Sequence, residues 1–122
     1  MKLTAHFDSA EFASHDGRPT PARQLHWLRL LCLDYLEPLR SAFGPVTITS
    51  GFRSATENAR VDGAPSSYHL RRAGRRGAGA DVVCRRGAPR DWYELLDERQ
   101  APGLGLYVDH LHVDNRAGRA RW

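Results

Sequence analysis

Six histidines, at positions 6, 15, 26, 69, 110 and 112, are many for a chain of 122 residues. Imidazole and carboxylate together are the donor chemistry of a Zn²⁺ site, and three protein donors with a fourth position left for water make such a site catalytic. The HExxH helix is absent. The two cysteines, Cys32 and Cys84, stand apart with no CxxC, which removes a thiolate zinc site. What remains is a His/Asp/His set dispersed over strands and loops. His112 lies in the short apolar run Leu111-His112-Val113, with Asp109 three residues before it and Asp114 two after. His110 and His112 share a face at the strand period of two, so either could be a ligand, and a core or surface role competes with both. His69 closes the polar stretch Ser66-Ser67-Tyr68-His69. Asp81 interrupts the apolar run Ala80-Asp81-Val82-Val83. An unpaired buried carboxylate is costly, so Asp81 needs either a metal or one of the many arginines. No Ser/His/Asp signature, phosphate-binding loop or dinucleotide fingerprint is present. Cys84, although next to Arg85, reads as a buried strand thiol rather than an activated nucleophile.

The elements that must position these residues are legible in part. Thr20 as cap and Pro21 at the first position start a helix. Leu25, Leu28, Cys32, Tyr35, Leu36 and Leu39 give it one apolar face to about Arg40, with Trp27 expected in the core. Pro38 should kink or end its last turn, and Gly44-Pro45 closes it. Val46-Thr47-Ile48-Thr49-Ser50 reads as a strand. Ser54 and Glu57 read as a capping box opening a short helix that Gly63 stops. Residues 64–78 read as a loop, 80–84 as a strand and 91–99 as a helix with Trp92, Leu95 and Leu96 on one side. Residues 103–107 and 111–113 suggest a hairpin. Helices early and strands late predict an α+β domain on a small antiparallel sheet.

The length fits one domain, and 41% hydrophobic with 26% charged residues is ordinary globular usage. No run reaches the ~18 apolar residues of a membrane span. The first eight residues hold no apolar stretch to serve as a secretory signal, and the two cysteines fit reduced, buried thiols of a chain made in the cytoplasm. Of the 18 basic residues all but Lys2 are arginine. Residues 71–90 carry seven arginines against the single acid Asp81, a local excess of +6 that leaves −2 for the rest of the net +4. Such an excess points to an anionic partner, nucleic acid or wall polymer, or else to a solvated loop.

In order, these motifs resemble the zinc peptidases of bacterial cell walls. That family carries a strand ending in SGYRS, then SxHxxGxAxD, then an acidic residue three before a final His. Ile48-Thr49-Ser50-Gly51-Phe52-Arg53-Ser54 is similar to the first element. Ser67-Tyr68-His69 with Gly77-Ala78-Gly79-Ala80-Asp81 is similar to the second, and Asp109-His110-Leu111-His112-Val113-Asp114 to the third. The closing stretch Arg116 to Trp122 resembles a small phage-associated branch. So does the opening, with His6-Phe7, Glu11-Phe12 and His15-Asp16-Gly17. Three departures stand out. The gap from His69 to Asp81 is twelve residues where seven is usual, Gly79 stands where Ala is usual, and His110 replaces an aromatic or aliphatic residue.

The resemblance implies one zinc peptidase domain over 1–122 with the hedgehog-like fold, a small central antiparallel sheet with helices mainly on one side. His69, Asp81 and His112 would hold Zn²⁺, and Asp109 would act as general base. Arg53 would stabilise the oxyanion, and Ser67 would bond substrate or orient a ligand. The implied partner is the peptide stem of peptidoglycan, cut by a carboxypeptidase or an endolysin-type endopeptidase. The chain would act as a monomer with no membrane span, reaching the wall after release from a phage or prophage host cell. A zinc-stabilised wall- or virion-binding module without activity is the alternative, and a nucleic-acid binder using Arg71 to Arg90 ranks third.

Overall fold

A computed structural model of the chain describes residues 1–70 and 75–122. Strands β1 (Lys2–Thr4) and β2 (Phe7–Asp8) form a small hairpin, and a 3₁₀ turn at Ser9–Phe12 follows. Helix α1 (Ala22–Leu31) continues through a wide turn at Cys32–Leu36 into α2 (Glu37–Phe43). Then come β3 (Val46–Ser50), α3 (Ala55–Arg60), β4 (Gly79–Cys84), α4 (Pro89–Glu98), β5 (Gly103–Leu106), β6 (Leu111–Asp114) and β7 (Ala120–Arg121). The second sheet has the order β3-β4-β6-β5-β7.

Strand periodicity gives this sheet two distinct faces. Ala80 pairs with Val113, Val82 with Leu111 and Leu104 with Val113, so these five side chains share a face. They are fully buried with Leu28, Leu31, Leu36, Leu39, Trp92 and Leu96 of the helical segments, in one core. On the opposite face Asp81 pairs with His112, and Gly79 and Gly103 both flank Asp114. An α+β architecture with helices α1, α2 and α4 on one side of the sheet is therefore what the chain adopts, while α3 leads into the opposite, polar side.

Several expectations need correction. The sheet is antiparallel except at one edge, where β7 joins β5 in parallel. Thr20 does not cap α1. Its hydroxyl donates to the Phe12 carbonyl at 3.3 Å, and the Pro21 carbonyl receives the first helical amides. Pro38 does not end the helix. The Glu37 amide reaches back five residues to the Cys32 carbonyl, and this widened turn accommodates a residue that cannot donate and whose ring would strike the preceding turn. Trp27 is half-buried against the core rather than inside it. Only half of the capping box forms: Ser54 Oγ accepts the Glu57 amide, but the Ser54 amide is taken by Ser14 Oγ, and Glu57 turns to Arg60. Asp62, not Gly63, takes the left-handed conformation after α3, at φ 55°. Helix α4 starts at Pro89, a natural first position, and Asp91 accepts the Ala88 amide at 2.8 Å.

The basic stretch also changes meaning in three dimensions. Arg71 and Arg72 lie outside the described residues. Arg75 folds onto its own loop, donating to the carbonyls of Ser66, Ser67 and Leu70, and Arg76 lies over the Trp27 ring. Arg85, Arg86 and Arg90 follow β4, whose six residues put about 20 Å between the two groups. The described arginines thus do not form one patch.

Candidate metal centre

The site is assembled on the polar face of the sheet. Because β4 and β6 pair in register, Asp81 stands directly opposite His112. His69 arrives from the preceding loop, and three contacts fix that loop. The Arg53 amide donates to the His69 carbonyl at 2.9 Å, and the His69 amide donates to Ser67 Oγ at 3.2 Å. The His69 Nδ1–H donates to the Gly51 carbonyl at 2.6 Å. The long gap between His69 and Asp81 therefore does not keep them apart: His69 Nε2 is 3.2 Å from Asp81 Oδ1.

His112 Nδ1 completes a triangle, 3.0 Å from Asp81 Oδ1 and 3.2 Å from His69 Nε2. Zinc–donor bonds of 2.0–2.1 Å in a tetrahedron imply donor–donor edges of about 3.3 Å. These spacings are close to that value, and the donor set suits the metal. The outer nitrogens of both rings already have acceptors, Gly51 O for His69 and Asp114 Oδ2 for His112. Neutral rings so held turn bare lone pairs inward, towards a carboxylate oxygen. Three electron-pair donors converging with no proton between them are what a cation stabilises. Among the described residues, this trio forms the group whose donors could hold a metal ion.

Charge on these groups follows from their surroundings. Burial opposes ionisation of Asp81, but in the metal-free chain, where a proton can occupy the place of the ion, the facing His112 and His69 rings outweigh it and hold its pKa below the ordinary carboxylate range. Burial lowers the His69 pKa, with Asp81 opposing. Burial also acts against charge on His112, yet Asp114 and Asp81 overcome it and raise its pKa.

The remaining expected residues are placed as follows. Arg53 lines the cleft above the trio. Its Nη2 lies 3.4 Å from Asp81 Oδ2, its Nη1 3.4 Å from Asn58 Oδ1, and its Nε donates to Ser50 Oγ at 3.2 Å. The arginine partner and the metal-donor geometry thus meet on the same carboxylate. Ser67 lines the cleft and orients the His69 loop. Asp109 stands in the bend just before β6, with its side chain 86% exposed, and pairs with His110 Nδ1 at 2.7 Å. Hydrogen bonding to His110 holds its pKa low. His110 precedes β6 rather than sharing its face. It stacks on Tyr107 with ring centroids 4.3 Å apart, and its Nε2 stays 3.9 Å from Asp81 Oδ2. Of the two candidate histidines, His112 therefore joins the trio and His110 lines the cleft. The Cys84 thiol is buried and pushed up to about 12, which removes it as a nucleophile.

Sequence reasoning missed the other wall. Asp114 is fully buried beneath His112, Arg116 grips it, and Trp122 packs 5.1 Å from the His112 ring. The signal was present: Asp114 follows His112 at the strand period, and Gly103 and Gly105 repeat at the same period on the neighbouring strand. A Cβ at Gly103 would overlap the Asp114 carboxylate, and one at Gly105 would come within 2.5 Å of the Trp122 ring. Gly79 fits the same pattern, since a Cβ there would meet His112 Cε1 at 2.9 Å. Above this floor opens a cleft of about 600 Å³, lined among others by Arg53, Ser67, Tyr107, His110, Arg116 and Trp122.

Comparison with known proteins agrees with this geometry. A family profile described as peptidase M15 matches residues 5–114, nearly the whole chain. The chain belongs to the peptidase M15 family. It is also 36% identical over 90 residues to the zinc D-Ala-D-Ala carboxypeptidase of Streptomyces albus G, a match covering 69% of this chain and 34% of that protein. The chain thus spans about a third of that relative's length. No helix among the described residues is long and apolar enough to cross a membrane.

Proposed function

We propose that this M15 chain is a zinc-dependent peptidase that hydrolyses bonds in the peptide stems of peptidoglycan. The convergence of His69 Nε2, Asp81 Oδ1 and His112 Nδ1 on the floor of an open cleft carries this reading. A relative that is a zinc D-Ala-D-Ala carboxypeptidase supports the metal and the substrate class. These three atoms would hold the ion, which supplies Lewis acidity and brings a water's pKa toward neutrality. Asp109 is the proton acceptor in this reading, ionised at neutral pH and paired with His110, which lines the cleft. Arg53 sits over Asp81, and its guanidinium can meet negative charge developing on the scissile carbonyl oxygen. Ser67 accepts the His69 amide and lines the cleft, which supports its role in orienting a ligand or meeting substrate. All these groups come from one chain, so the reading requires no partner subunit. Action on the wall after release from a phage or prophage host is part of the same proposal.

Defined stem peptides test it, with untagged protein and products resolved by mass. Chelator-sensitive release of free D-Ala identifies a carboxypeptidase, and a severed stem identifies an endopeptidase. Zinc-loaded, folded protein that cleaves no stem peptide would replace this reading with that of an inactive wall- or virion-binding module. Asp109→Asn should retain zinc and lose turnover. If it cleaves at the wild-type rate while a His110→Asn variant does not, the base is His110.

A further inference from the structure

We propose that Asp114, braced by Arg116, is a positioning residue that selects Nδ1 of His112 as the metal-binding nitrogen. The inference rests on the metal reading above and assigns a role to a residue outside the donor trio. A neutral imidazole has one protonated and one bare nitrogen, and the hydrogen bond at one decides which atom the other presents. Here His112 Nε2 lies 2.8 Å from Asp114 Oδ2, while Nδ1 faces Asp81 and His69. Asp114 is acceptor-only when ionised, so the proton must sit on Nε2 and the lone pair on Nδ1.

Arg116 keeps Asp114 in that state and place. Its Nε donates to Oδ1 at 2.8 Å, its Nη2 to Oδ2 at 2.7 Å and its backbone amide to Oδ1 at 3.2 Å. Its guanidinium is itself packed between the Tyr68 ring at 4.3 Å and the Trp122 ring at 5.1 Å. A fully buried carboxylate is strongly unfavourable unless paired, and this one has the Arg116 guanidinium as its charged partner and the His112 ring as a further hydrogen-bond donor. Gly103 completes the arrangement by leaving the space that the carboxylate occupies.

Asparagine at 114 is the informative change. It keeps the two Arg116 bonds at the Oδ1 position only by turning its NH₂ toward His112. That NH₂ donates to Nε2, and the ring proton moves to Nδ1, where it blocks ligation. Asp114→Asn should therefore weaken zinc affinity about 10- to 100-fold, read by competition with a chromophoric chelator. Protein labelled with ¹⁵N-histidine supplies a readout that a merely structural role would not move. In the zinc-loaded wild type, two-bond ¹H–¹⁵N spectra should show His112 protonated at Nε2 and ligated through Nδ1. Ligation through Nε2 overturns the proposal even if Asp114→Asn fails to fold. A folded Asp114→Asn protein with wild-type zinc affinity overturns it as well. A wild-type chain that takes up no zinc sinks the metal reading itself, which separates that failure from the failure of this inference.

Discussion

Gly51 is a demanding place to test whether the scaffold positions the centre. It ends the strand segment that leads to Arg53, and its carbonyl accepts the His69 Nδ1–H at 2.6 Å. A Cβ added there would lie 2.5 Å from Phe12 Cα, 2.7 Å from Phe12 O and 2.8 Å from Phe12 Cβ. Carbon contacts relax to about 3.5 Å or more, so the two segments must separate by roughly an ångström. Phe12 is fully buried, and its carbonyl accepts the Phe52 amide at 2.7 Å, so neither side yields freely. Overpacking of this kind costs about 1–3 kcal/mol. For a domain of this size that is a fall in Tm of about 4–12 °C in the metal-free protein. Displacing the carbonyl also releases the His69 ring, which should weaken zinc binding about 10- to 100-fold. Calorimetry on chelated protein and a chelator-competition titration read the two effects separately. Thr47→Ala, at an exposed position of the same strand, is the control and should change stability by less than about 0.5 kcal/mol. A Gly51→Ala protein with wild-type Tm and zinc affinity would refute the claim that close approach of Phe12 sets the His69 carbonyl partner.

Three further outcomes follow from the site. Asp109→Asn should lower turnover on a stem peptide about 10²- to 10⁴-fold with zinc content unchanged, checked by metal analysis alongside product mass. Zinc should be released as pH falls, because protons compete for imidazole nitrogen and His112 has a raised pKa, and a zinc titration across pH 5–8 reads this directly. Asp114 is lowered from 3.8 to about 2 by Arg116 and His112 against the opposing effect of burial. A depressed carboxylate contributes stability that is present above its unfolded pKa and lost as pH falls through the folded one. Metal-free protein should therefore lose on the order of 2 kcal/mol between about pH 4 and 2, measured by urea denaturation, and Asp114→Asn should flatten that slope.

Legibility from sequence followed the physics of each feature. Strands β3 and β4 announced themselves through β-branched runs, and the β5–β6 hairpin through two short apolar segments around a polar turn. Strands β1, β2 and β7 have two or three residues each, too few for a period to emerge, and β7 depends on pairing across the sheet. The start of α1 was misplaced because Thr20 found a tertiary partner in Phe12. The capping box at Ser54 lost half its bonds to Ser14 for the same reason. His69, Asp81 and His112 could be singled out because a carboxylate in an apolar strand and a histidine beside it are unusual locally. Spacing alone leaves His110 and His112 level; the resemblance favours His112, and the start of β6 at Leu111 gives the physical reason. The supporting wall of Asp114, Arg116 and Trp122 was harder, since it is defined by space that Gly103 and Gly105 leave empty. The basic excess of residues 71–90 was visible in the sequence, but β4 divides its described members.

The central claim is that one chain brings two imidazoles and one carboxylate to a single zinc ion. Zinc X-ray absorption on untagged, zinc-loaded protein measures it most directly. The account predicts one ion per chain with two imidazole nitrogens and carboxylate oxygen at about 2.0–2.2 Å, and loss of that shell in Asp81→Asn. A wild-type chain with no stoichiometric zinc, or a zinc shell without imidazole that Asp81→Asn leaves unchanged, would contradict it.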